Sequence, residues 1–155
     1  MTRQKLINMA QTLMWVSIAT AAGVAVILLG DRLLGVRLEV FHGMSTYSPA
    51  WLLDLIVVPL IAGFVVSLIY GLGGKMVAHL PALIAKVYAY YTLTPDMVPE
   101  GAALVPIGFW ILLVIVVVEA CAAGGVIGEI VVKKTYGRRP RHEVHKRYRQ
   151  KSIES

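Results

Sequence analysis

The chain has 155 residues, 57% of them hydrophobic and 15% charged, and a mean hydropathy of +0.71. That is too apolar for an ordinary soluble domain and places the chain in a bilayer. The net charge of +6 is a property of the carboxyl tail: residues 133–155 hold nine Lys or Arg against Glu143 and Glu154, so the preceding 132 residues sum to about −1. The single cysteine, Cys121, excludes an intramolecular disulfide and any multi-cysteine zinc or iron–sulfur site.

Met1 to Lys5 is short and basic, and an apolar run follows to Leu29. A cleaved signal peptide begins the same way, with Gly23-Val24-Ala25 as a small-residue cleavage site, yet the run continues through Val26-Ile27-Leu28-Leu29. The expectation is an uncleaved first span over 11–29, its amino terminus cytoplasmic and Trp15 at the inner interface. In the connection from Asp31 to Ala50, Val36, Leu38 and Val40 alternate with Arg37 and Glu39, which suggests an extended segment or a small hairpin over the outer surface.

A second span is expected over 51–70, with Asp54 about one turn from the interface and within reach of water, and with Pro59 bending the helix. Gly71-Leu72-Gly73-Gly74-Lys75 is a turn signal. The next stretch, 76–93, is apolar enough to span despite His79, Pro81 and Lys86, and 94–101 is a second connection. The longest apolar run, 104–132, is broken only by Glu119, Cys121 and Glu129 and is followed at once by Lys133-Lys134, a cytoplasmic stop.

These readings give an all-α integral membrane protein of four transmembrane helices, 1–132, with both termini cytoplasmic and a basic tail, 133–155. Arg3, Lys5, Lys75 and the tail then lie inside, and only Arg32 and Arg37 lie outside, as the positive-inside rule requires. The rival has three spans, with 76–93 on the outer surface, and strands Arg3, Lys5, Lys75 and Lys86 on the wrong side.

Counting from the cytoplasmic ends of the third and fourth spans puts Lys86 and Glu119 at similar depth, as an intramembrane pair. His79 and Glu129 form a possible second pair. Either the Lys86–Glu119 pair fixes two helices in register or it belongs to a polar route for protons or cations; one pair makes no continuous path, which favours the structural role. Small residues recur four apart: Ala120, Gly124 and Gly128; Gly63, Ser67 and Gly71; and Ser17, Ala21 and Ala25. Such stripes let helix backbones approach closely.

The tail patch of Lys133, Lys134, Arg138, Arg139, Arg141, Lys146, Arg147 and Arg149 suits anionic lipid headgroups or an acidic cytoplasmic partner, and nucleic acid is disfavoured. His142-Glu143-Val144-His145 lacks the metalloprotease spacing, and Gly71 to Met76 lacks the elements of a phosphate loop. Only His79 lies within a span, so one copy offers no bis-histidine haem site.

No catalytic constellation, metal site or cofactor is expected, and therefore no enzymatic activity. The favoured function is an accessory or structural subunit of a larger complex in a bacterial inner membrane, packing by small-residue faces and docking through its tail. The alternative is a small oligomeric ion or proton channel using Glu119 and Lys86, with Asp54 as a further lining group. A holin-like permeabilising role shares only size, several spans and a basic tail.

Overall fold

The computed structural model describes residues 3–136, and the chain there is mostly helical. Its elements are α1 (Arg3–Leu34), β1 (Val40–Phe41), a 3-10 turn (Gly43–Thr46), α2 (Pro49–Leu52), a π turn (Leu53–Val57), α3 (Val58–Tyr70), α4 (Gly74–Val77), α5 (His79–Tyr91), a 3-10 turn (Pro95–Met97), β2 (Ala103–Leu104) and α6 (Ile107–Tyr136). Three helices are long and apolar enough to cross a membrane: Ile7–Leu34, Pro49–Tyr70 and Ile107–Thr135. Tail residues from Gly137 onward, including Arg138, Arg139, Arg141, Lys146, Arg147 and Arg149, lie outside the described residues.

α1 runs past the expected end at Leu29 and stops at Gly35, whose φ of 62° breaks the helical ladder. The second helix starts on a built cap: the Ser48 hydroxyl accepts the Trp51 N–H at 3.2 Å, and Pro49 stands where a missing N–H costs nothing. A π turn follows, in which the Val58 N–H reaches back to the Leu53 carbonyl. Its cause lies just beyond, because Pro59 has no N–H to donate to the preceding turn.

The 76–93 stretch differs from the expected single helix. It breaks at Ala78, between α4 and α5, where Pro81 removes the donor that would have bonded the Val77 carbonyl. α5 alone has 13 residues, about 20 Å at helical rise, against a hydrocarbon core of about 30 Å.

Contacts fix the arrangement of the helices. The Leu60 carbonyl faces Gly124 and the Phe64 carbonyl faces Gly128, so α3 and α6 run parallel. Ala78 lies against Gly125, and the Tyr90 ring lies 4.6 Å from that of Trp110, so α5 runs antiparallel to α6. Gly23 of α1 abuts Val66 and Pro81, and Gly30 abuts Val58. The helices thus form a four-sided bundle in the order α1, α3, α6, α5, with a core of small residues such as Ala19, Ala62, Ala82, Ala85, Val117 and Cys121.

At one end of the bundle the two long connections meet. Val40 pairs with Leu104 and Phe41 with Ala103 in an antiparallel ribbon, and the Val105 N–H donates to the Glu39 carbonyl at 3.0 Å. Of the extended segment expected at 36–40 only Val40 is strand: Leu38 and Glu39 form a turn in which the Val40 N–H donates to the Arg37 carbonyl at 3.2 Å, and the strand's partner is the other connection and not a local hairpin. Leu104, expected inside the last span, belongs to this ribbon. At the opposite end, Gly71 (φ 89°) and Gly73 (φ 87°) turn the chain from α3 into α4.

Candidate functional site: a buried charge cluster and an outward carboxylate

Near the ribbon end, four charged side chains converge from four segments. Lys86, on α5, is 2% exposed and donates from Nζ to both carboxylate oxygens of Asp31, on α1, at 3.1 and 3.0 Å. The same Nζ lies 3.7 Å from Oδ2 of Asp54. The π turn directs Asp54 into the bundle, where it is 1% exposed and neither carboxylate oxygen has a hydrogen-bond donor. Glu39, just before β1, is 4% exposed, with Oε1 likewise lacking a donor. Burial pushes the Glu39 carboxyl above the usual carboxylate range, and the nearby Lys86 ammonium opposes that rise. One ammonium thus faces three carboxylates in a dry setting.

The expected Lys86–Glu119 pair does not form. Glu119 faces the wrong way for it, lying between the buried Val117 and Cys121 in sequence, each about 200° from it around the helix. Glu119 therefore points outward, on a face with Leu112, Ile115 and Val126, which are 53%, 52% and 45% exposed. The His79–Glu129 pair is absent too. His79 Nδ1 lies 3.2 Å from the Met76 carbonyl, whereas Glu129 takes Lys133 of its own helix at 3.0 Å. Asp54, expected within reach of water, is enclosed.

The structure brings Gly63, Ser67, Gly124 and Gly128 together where α3 meets α6. A Cβ at Gly63 would strike the Cys121 carbonyl, and one at Gly128 would sit 2.8 Å from Ser67 Cβ. Ala120 is partly exposed beside this seam, and Gly71 is a turn residue beyond it. Ser17, Ala21 and Ala25 line a shallow apolar groove between α1 and α5, about 600 Å³ in volume, floored by Leu80 and Ile84 and without charged groups. Lys134 is exposed in the last turn of α6.

Asp31 and Glu39 were missed as site residues. Both fall in what reads as a polar loop, and only the extension of α1 and the pairing of the ribbon carry them to Lys86. Among the described residues no group of His, Cys, Asp and Glu side chains is arranged to hold a metal ion. Comparison with known proteins gives no match to a protein family, a curated protein or a solved structure.

Proposed function

We propose that the chain is a non-enzymatic, accessory subunit of a larger integral membrane complex, seated in a bacterial inner membrane with four segments crossing and both termini cytoplasmic. The observation that carries this reading is Glu119, an outward-facing carboxylate twelve residues into α6, with no partner among the described residues. A charged side chain at the centre of a spanning helix costs about 3 kcal/mol on insertion scales. A partner subunit's helix with a lysine, arginine or other hydrogen-bond donor at the same depth removes that cost. The flanking Leu112, Ile115 and Val126 supply the apolar contact, and Ala122 and Ala123 leave room for close approach.

The basic tail from Lys133 supports a second attachment, to anionic headgroups or an acidic cytoplasmic surface. The channel alternative draws less support, because Lys86 lies inside the bundle and Glu119 on its outside, so the two share no route.

The test is gentle detergent extraction of the tagged chain, followed by native mass determination. The expected result is stoichiometric recovery of other membrane subunits, lost in Glu119→Leu and largely kept in Glu119→Gln, which still hydrogen-bonds. A monomer in every preparation, or a complex indifferent to Glu119→Leu, overturns the docking role. A pure homo-oligomer moves the reading to the channel class.

A further inference from the structure

The buried cluster holds more acid than its lysine can balance. Lys86 places two hydrogen bonds on Asp31 and stands 3.7 Å from Asp54, whose oxygens have no donor although the residue is 1% exposed. Asp31 Oδ2 at 3.0 Å and Asp54 Oδ2 at 3.7 Å crowd the same Lys86 ammonium, which sets the two carboxyl groups side by side. Two bare carboxylates at that range only repel, whereas one proton between them makes a charge-assisted hydrogen bond. We propose that Asp31 and Asp54 form a proton-binding site, in which one proton rests on Asp54 and is donated to the Asp31 carboxylate that Lys86 holds in place.

The proton comes from water at the ribbon end, where Asp31 keeps 20% of its side chain exposed. Binding leaves Asp54 neutral, Asp31 negative and Lys86 positive, so the three side chains sum to zero. The groups facing Asp54 come from each neighbouring element: Asp31 from α1, Lys86 from α5, and Glu39 from the approach to β1, with Arg37 beside Glu39. α6 adds no charge, since Glu119 points outward and Glu129 is held by Lys133 toward the other end. A bound metal ion is the poorer occupant, because the Lys86 ammonium already fills the cationic position between the two aspartates. This inference does not depend on the subunit reading.

The experiment is infrared difference spectroscopy of the full chain in lipid nanodiscs, with carbon-13 in the aspartate carboxyls to separate them from glutamate. One protonated aspartate carbonyl band is expected at neutral pH, disappearing on alkalinisation. It should be absent from Asp54→Asn, which keeps a hydrogen-bond donor for Asp31 and so folds, and retained in Glu39→Gln. Asp31→Asn provides the same readout if Asp54→Asn proves poorly expressed. A wild-type spectrum without that band at neutral pH, or a band that survives both aspartate substitutions, overturns the proposal. So does a band that vanishes when sodium replaces N-methylglucamine at constant pH, since that makes the ligand a sodium ion.

Discussion

Lys86 and Glu119 divide the charged side chains of the bundle into one that is enclosed and one that is presented. Removing the enclosed ammonium leaves Asp31 without its donor, Asp54 without its close cation and Glu39 with Arg37 alone to oppose its burial, so Lys86→Met should cost about 3–5 kcal/mol. Lys86→Met and Asp31→Leu should be strongly non-additive. Lys86→Met and Glu119→Leu should add within about 0.5 kcal/mol, because the two sites share no partner. Thermal or denaturant unfolding of the three single and two double variants in detergent measures both cycles, and strong coupling to Glu119 would restore the pair that depth counting suggested. Depth is legible in a sequence because rise per residue is constant. Rotation is legible only where one face differs from the others, and around Glu119 the helix is apolar on every side. The better signal was the recurrence of Cys121, Gly124, Gly125 and Gly128, which marks the inward face and leaves Glu119 off it.

At the level of elements, the α3–α6 seam rests on backbones in near contact. Gly63→Ala forces a methyl into the Cys121 carbonyl of the partner helix, which cannot yield without separating the two helices. A loss of about 1–3 kcal/mol is expected. Gly108, also helical in α6, has nothing near its missing side chain, so Gly108→Ala should be neutral or gain up to about 1 kcal/mol from helix propensity. Melting midpoints of the two variants, compared with the parent, decide whether the seam or the general glycine content matters. The stripes themselves were readable, since spacing of four on an apolar run means a helix face. Gly71 stands both at the end of a stripe and at the start of a turn signal in the sequence, and the structure gives it the turn role alone. The break at Ala78 was signalled by Pro81, and the π turn by Pro59, though the sequence alone does not say that the turn would aim Asp54 inward.

For the whole molecule, the apolar runs announced the three long helices, while the standing of α4 and α5 depends on what lies around them. If that pair crosses with the others, cysteines introduced at Leu72 and Glu100, in a Cys121→Ser background, should react with a membrane-impermeant thiol reagent from opposite sides. Labelling of both from one side would leave α4 and α5 on a single surface. The ribbon was barely legible: alternation pointed to extended chain near Val40, where the structure has a turn before a two-residue strand, and nothing local identifies a partner some sixty residues away. That separation has a consequence for the order of events at the ribosome. Val40 emerges long before Leu104, and at about 5–20 residues per second the wait is on the order of 3–13 s. Through that interval the earlier segments can insert, yet Val40, Phe41 and the Glu39 carbonyl still lack the strand that pairs with them. Closing the backbone beside Glu39 is therefore a late step that only a chain synthesised through Val105 can complete.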